Sequence, residues 1–271
     1  MLIERLRTSL IIIGACAATL FLAPAWAFAI LVTIFVALGL NEFFVLVGKK
    51  QIGVNRKFGV CLGAVVAGAT YFDYRLPYDW SLVFIPVVCL IIIIVQFTKR
   101  DQRAVISIST ILFGLLYVSW FLSFMIRIRA MPVGTEAFRR SLVAYLILVT
   151  KSGDIGAYLI GSKFGKHSLI PHISAKKTVE GAIGGLAFSV AVSVAAGAFL
   201  PTFSVFSLLI LGLVLGALAQ IGDLSESLIK RDCGVKDSGR SLPGLGGILD
   251  AIDSLLFTAP AFYFYVKVFM R

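Results

Sequence analysis

From Ser9 to Phe269 the chain alternates long apolar runs with short polar breaks. The runs fall near residues 8–23, 26–48, 58–75, 80–97, 104–126, 141–162, 179–200, 204–224 and 248–269. Several reach the roughly 17 to 25 residues that a helix needs to cross about 30 Å of hydrocarbon. This pattern predicts an all-α fold: a polytopic transmembrane helix bundle of about nine spans, within a range of 8 to 10. A loose division near residue 130 separates an N-terminal scaffold part, 1–130, from a C-terminal part, 131–271. The first run begins after Arg7 and leads into a second without a small-residue cleavage site, so the N-terminus is expected to be retained.

Composition agrees with a bilayer as the main solvent. Ala, Val, Ile, Leu, Met, Phe, Trp, Tyr and Cys make up 59% of the 271 residues and charged residues only 14%; the mean hydropathy is +0.97. A water-soluble domain does not carry this balance. The net charge of +11, from 25 Lys and Arg against 14 Asp and Glu, points to cytoplasmic loops facing anionic headgroups and away from nucleic acid. With Arg5 and Arg7 inside, Lys49, Lys50, Arg56, Lys57, Lys99, Arg100 and Arg103 also fall inside. The loops near Lys163–Lys177 and Lys230–Arg240 follow, and Pro201–Ser204 lies outside. One segment disagrees: Arg127, Arg129, Arg139 and Arg140 follow the fifth span, where the crossing count places the outside, so either a span is miscounted or this segment lies on the surface. Cys16, Cys61, Cys89 and Cys233 share no metal-type spacing and read as reduced packing residues.

The chemistry concentrates in Gly222–Asp253, a polar stretch between two strongly apolar spans. On a helix continuing span eight, Asp223, Glu226, Ser227 and Lys230 occupy one face. Asp250, Asp253 and Ser254 repeat that spacing at the start of span nine, where the helix dipole favours carboxylates. Carboxylates gathered at membrane depth need a cation, a proton or a basic partner. Hard oxygen donors favour Mg²⁺ held together with substrate phosphates. Lys230, Arg231, Lys236 and Arg240 supply cations, and Gly244, Gly246 and Gly247 let backbone N–H groups approach an anion. The plainer reading is a basic cytoplasmic loop whose carboxylates cap or pair locally.

A second constellation runs from Lys151 to Gly185. Asp154 sits inside an apolar run, either as a functional acid or as a local pair with Lys151 at i and i+3. Ser174–Gly181 reads as a basic turn entering span seven, with Thr178 as a cap and Lys176 and Lys177 available to phosphate or explained by topology alone. His167 and His172 lack the helical spacing of a zinc pair.

At these two stretches the sequence resembles the phosphatidate cytidylyltransferase (CDP-diacylglycerol synthase) family. The family signature, Ser-x-apolar-Lys-Arg, four residues, Lys-Asp-x-small, two residues, apolar-Pro-x-His-Gly-Gly-apolar-x-Asp-Arg-apolar-Asp, is met by Ser227, Lys230, Arg231, Lys236, Asp237, Gly239, Leu242, Pro243, Gly246, Gly247, Ile248, Asp250, Ile252 and Asp253. The upstream bacterial pattern is met by Asp154, Gly156, Ala157, Tyr158, Gly165, Lys166, His167, Ser174, Lys176, Lys177, Thr178, Glu180 and Gly181. Leu245, Ala251 and Ala175 stand where the family has His, Arg and Pro.

The resemblance implies a nucleotidyltransferase that converts CTP and phosphatidic acid into CDP-diacylglycerol and pyrophosphate in phospholipid biosynthesis, with Mg²⁺ and room for a second metal ion. Expected catalytic residues are Asp223, Lys230, Arg231, Lys236, Asp237, Asp250 and Asp253. Asp223 and Asp250 are the principal metal ligands, with Asp253, Asp237 and Glu226 as outer or alternative ones. Asp154, Ser174, Lys176, Lys177, Thr178, Glu180, Ser227, Arg240, Gly246 and Gly247 are expected to bind substrate. CTP, phosphatidic acid and membrane lipids are the expected partners, nucleic acid is not, and a homodimer is a further expectation. The expected location is the inner membrane, with the site facing the cytoplasm. A CTP-dependent lipid kinase, another CDP-lipid synthase, an inactive relative and an ion-coupled transporter are the rival readings.

Overall fold

The computed structural model describes residues 2–76, 80–97, 103–200, 202–239, 241–244 and 246–270. Lys99, Arg100, Pro201, Arg240 and Leu245, singled out above, lie outside the described residues, as does the Arg5 side chain. Nine helices are found among the described residues: α1 (Leu2–Phe21), α2 (Ala25–Gly48), α3 (Arg56–Ala69), α4 (Trp80–Phe97), α5 (Ala104–Ala130), α6 (Glu136–Phe164), α7 (Val179–Ala196), α8 (Val205–Asp232) and α9 (Ile248–Phe269). Six of them, α2 and α5 to α9, are long and apolar enough to cross a membrane, and Arg7–Phe21 and Ile85–Phe97 form shorter apolar helical stretches. The protein is an all-α, multi-pass membrane protein, as its hydropathy predicts. The run at 58–75 is the shortest helix in outcome: α3 has 14 residues and ends in a 3₁₀ turn at Thr70–Phe72.

Helix starts are set by local chemistry. Asn55, Thr135 and Thr178 each accept the backbone N–H three residues on, from Phe58, Phe138 and Gly181, satisfying a donor that the first turn leaves without an intrahelical partner. The Thr178 cap is the one expected from sequence. Ser174–Thr178, however, is not a turn. It is a strand, β2, paired antiparallel with β1 (Ser168–Ile170). The hairpin is held to α7 by Glu180, whose carboxylate accepts the N–H groups of Lys166 and His167 at 3.0 and 3.2 Å and meets His167 Nδ1 at 2.6 Å.

The chain forms two compact units: Met1–Pro132 with Cys233–Ala251, and Val133–Asp232 with Ile252–Arg271. In the first, α2 supplies a buried spine of Val36, Leu40, Phe43, Phe44 and Leu46. Gly59 and Gly63, one turn apart on α3, face this spine. A Cβ at either would lie 2.5 Å from the Phe44 ring or 2.1 Å from Leu40 Cδ1, so the two glycines make room for these α2 side chains against the α3 backbone.

Two of the arginines that defied the topology count, Arg127 and Arg129, belong to this unit. Helix α5 continues through a π-helical stretch, Leu115–Trp120, to Ala130. Arg127 and Arg129 therefore lie on its last turn and are buried, at 6% and 1% exposure. The Arg127 guanidinium pairs with Asp73 at 3.0 Å and sits 4.5 Å over Trp120. Neither is a loop or surface charge, and the connecting residues 131–135 carry none. Arg139 donates to the Gly134 carbonyl and Arg140 pairs with Glu136 on the first turns of α6.

In the second unit α6, α7 and α8 pack through small residues. Gly156 abuts Phe188, Gly184 abuts Ile160, and Gly212 and Gly216 abut Val190 and Ser189. Ser193 donates to the Leu208 carbonyl at 2.5 Å and shares a hydrogen bond with the Tyr145 hydroxyl. Close backbone approach is thus what aligns the polar ends of these helices.

Candidate active site

Helix α8 is apolar for most of its length and turns polar at Asp223. Asp223, Glu226, Ser227 and Lys230 share one face, as the spacing requires. Gly222 brings that face to α9: a Cβ there would be 2.4 Å from the Asp253 carbonyl oxygen. Carboxylate oxygens of Asp223, Glu226 and Asp253 consequently lie within 4.8 Å of one another. Glu226 and Asp253 are buried, at 1% and 5% exposure, while Asp223 is half-buried.

Lysines surround the cluster. Lys230 Nζ pairs with Glu226 at 2.6 Å, one turn away on α8. Lys177, on β2, reaches Asp223 at 2.8 Å and donates to Ser227 at 3.2 Å. Lys151 on α6 pairs with Asp154 at 3.0 Å and donates to Ser254 at 2.7 Å, and the Ser254 hydroxyl also donates to Asp154. The local Lys151–Asp154 pair weighed from sequence is therefore present, and it is tied to α9 through Ser254. Three lysines face four carboxylates in this group, at the edge of an apolar medium.

A cavity of 510 Å³ opens beside the cluster. Asp154, Tyr158, Ser174, Lys176, Lys177, Thr178, Gln220 and Asp223 are among its lining residues. It joins the two sequence constellations: Asp154, Ser174, Lys176, Lys177 and Thr178 from the upstream stretch, and Asp223 from the Gly222–Asp253 stretch. Glu180 is occupied with the hairpin, and Arg231 donates to the Ile173 carbonyl at 3.1 Å, fastening α8 to that same hairpin.

The remaining signature residues belong to the first unit. Asp250 Oδ2 accepts the Gly247 N–H and the Ser238 hydroxyl, both at 2.8 Å. This is the backward half of a capping box, in which a third-position carboxylate satisfies the N–H of the cap residue. Gly246 donates to the Leu242 carbonyl at 3.1 Å with φ +104°, a backbone conformation that favours glycine. Lys236 and Asp237 are exposed. Glu42, on α2, was missed from sequence. It is buried at 4% exposure and accepts from Ser238, Ser241 and the Leu249 N–H. The signal was available, since Glu42 is the single charged residue in the 24-residue helix α2, and an ionisable group in an apolar span is a site hypothesis by default.

Fold and site together define a multi-pass membrane protein with a carboxylate-rich, lysine-paired cluster beside a cavity lined by polar groups. The family model of the cytidylyltransferase family matches residues 3–269, and the chain belongs to that family. It is 32% identical over 280 aligned positions to a phosphatidate cytidylyltransferase of Synechocystis sp., covering 94% of each chain. It is 50% identical over 119 positions to a phosphatidate cytidylyltransferase of Staphylococcus aureus, covering 44% of this chain and 46% of the other. Escherichia coli YnbB, an uncharacterised protein, is 35% identical over 192 positions, 70% of this chain and 64% of its own. The protein is a membrane enzyme of the nucleotidyltransferase class.

Proposed function

We propose that the protein is a phosphatidate cytidylyltransferase, joining CTP and phosphatidic acid to give CDP-diacylglycerol and pyrophosphate, with its site on the cytoplasmic side of the inner membrane. The observation that carries the reading is the convergence of Asp223, Glu226 and Asp253, with Lys177 paired to Asp223, beside a cavity that Lys176, Lys177 and Asp223 line. An oxygen of the lipid phosphate attacks the α-phosphorus of CTP, and the bond from that phosphorus to the β-phosphate bridging oxygen breaks as pyrophosphate leaves. No protein nucleophile is required, because a phosphate monoester is largely ionised near neutral pH. The barrier lies in bringing two polyanions together in line.

The residues present fit a divalent cation. Three carboxylates converge within 4.8 Å, and their donors are hard oxygens. Asp223 and Asp253, with Glu226, would hold Mg²⁺, which supplies charge neutralisation to the phosphates. Lys176 and Lys177 receive phosphate oxygens at the cavity wall. Ser254 and Lys151 keep Asp154 oriented toward that wall. The acyl chains stay in the bilayer, since moving each buried CH₂ into water costs about 0.8 kcal/mol. Lys236, Asp237, Arg240 and Asp250 are carried by the family resemblance as further contributors.

The test is turnover of radiolabelled CTP by purified protein in phosphatidic acid mixed micelles with Mg²⁺, resolving CDP-lipid, CMP, CDP and pyrophosphate. Equal amounts of CDP-diacylglycerol and pyrophosphate are expected; CDP with phosphorylated lipid would make the protein a lipid kinase instead. Asp253→Asn, well folded, is expected to lose turnover, and a wild-type rate would remove Asp253 from the ligand set; Asp250→Asn is also expected to lose turnover, and a wild-type rate there would remove Asp250 as a contributor.

A further inference from the structure

Glu42 sits in the C-terminal half of the apolar helix α2 and 196 residues before the first group it binds. A buried carboxylate at such a position is costly unless its oxygens are satisfied. Among the described residues the signature segment satisfies them: the Ser238 hydroxyl at 3.3 Å, the Ser241 hydroxyl, and the Leu249 N–H at 2.9 Å. Leu249 is the second residue of α9, so its N–H is one of the donors that the first turn leaves open. The cap-residue N–H of Gly247 is taken by Asp250. Between them, Glu42 and Asp250 close the start of α9, and both accept from the same hydroxyl, Ser238.

Sterics give the same answer independently. The three atoms nearest a Cβ at Gly239 would all belong to Glu42, the closest at 2.5 Å, and one at Gly247 would lie 1.9 Å from Ser238 Oγ and 2.4 Å from Glu42 Oε2. Two signature glycines are thus shaped around this carboxylate. We infer that Glu42 is a positioning residue that pins both ends of the segment Ser238–Leu249, setting the start of α9 and the placement of Asp250 for turnover. The inference rests on the function proposed above for its effect on rate, while the anchoring itself stands on the contacts.

The experiment uses the full-length protein in detergent micelles. Amide hydrogen exchange over peptides spanning Ser238–Leu249 is compared in wild type, Glu42→Ala and the near-isosteric Glu42→Gln, alongside kcat and KM for CTP per folded molecule. Glu42→Ala should raise exchange at Leu249 on the order of tenfold or more and lower kcat by roughly ten- to a hundredfold, as for a displacement of about 1 Å. KM for CTP should change far less, and Glu42→Gln, which keeps one acceptor oxygen, should fall between. Gly239→Ala should be less damaging in the Glu42→Ala background than in wild type, because the clash has gone. Unchanged exchange at Leu249 overturns the anchoring, and raised exchange with unchanged kcat overturns the positioning role. If wild-type protein makes no CDP-lipid, the proposed function fails, and the exchange arm still decides whether Glu42 anchors the segment.

Discussion

Lys177 on the β-hairpin and Asp223 on α8, 46 positions apart in sequence, meet at 2.8 Å on the wall of the cavity. Both are partly exposed, at 24% and 43%, so the pair contributes little to stability, about 0 to 1 kcal/mol. Its meaning is chemical: it places an ammonium beside the carboxylate cluster where phosphate oxygens are proposed to enter. Lys177→Ala is therefore expected to leave the melting temperature in detergent nearly unchanged while lowering kcat/KM for CTP on the order of a hundredfold. A matching loss of both would make Lys177 a structural residue.

Lys230 and Glu226 make the opposite case. Their side chains are 12% and 1% exposed and 2.6 Å apart. Removing the ammonium takes this cation away from a buried carboxylate close to Asp223 and Asp253, which costs about 3 kcal/mol or more. Lys230→Ala should lower thermal stability accordingly, measured by detergent melting. Added Mg²⁺ should recover more stability in the variant than in wild type, since a cation between the three carboxylates relieves the same repulsion. Equal Mg²⁺ stabilisation in both proteins would argue against metal binding at this cluster.

How far the site was legible follows from the range of each interaction. The face Asp223–Glu226–Lys230 could be read directly, because helical spacing is local and α8 continues past its apolar part. The Lys151–Asp154 pair and the Thr178 cap are local too, and both are present. The hairpin was missed: three- and five-residue strands with polar sequences such as Ser174-Ala-Lys-Lys-Thr178 carry no apolar alternation to announce them. Arg127 and Arg129 were read as loop charges because the helix outlasts its apolar run, and the partners of Arg127, Asp73 and Trp120, enter only through tertiary packing. Glu42 shows the same limit, since its polar partners lie in the signature segment near the other end of the chain.

The small-residue seam of the second unit gives a prediction about packing. A Cβ at Gly216 would lie 2.8 Å from Ser189 Cβ and 2.9 Å from its Oγ, and one at Gly212 would lie 2.6 Å from Val190 Cα. Backbone contacts cannot yield as a side-chain tip can. Gly212→Ala should therefore destabilise by about 1 to 3 kcal/mol through forced separation of α7 and α8. Gly234→Ala has open space around its Cβ but a φ of +70°, so it should show strain alone and a smaller loss. Detergent melting curves of the two variants, with a larger shift for Gly212→Ala, would bear this out; the reverse order would mean that the helix seam is not close-packed.

Arg127 offers a test of why a charge sits at the end of α5. The guanidinium is held at once by Asp73 at 3.0 Å and by the faces of Trp120 and Phe124, at 4.5 and 5.0 Å. A planar, delocalised cation suits both roles, whereas an ammonium satisfies the ion pair and stacks poorly. Arg127→Lys should therefore lose the aromatic contribution, about 1 to 2 kcal/mol for a desolvated cation–π pair. Arg127→Ala should lose more, about 3 kcal/mol, because Asp73 is left without this cation. Combining Arg127→Ala with Asp73→Asn should be less damaging than the two single losses added together, since the second change removes the carboxylate that the first has stranded. Additive losses in that cycle would mean that the two residues stabilise the unit separately, and that the pair is a consequence of the fold rather than a support for it.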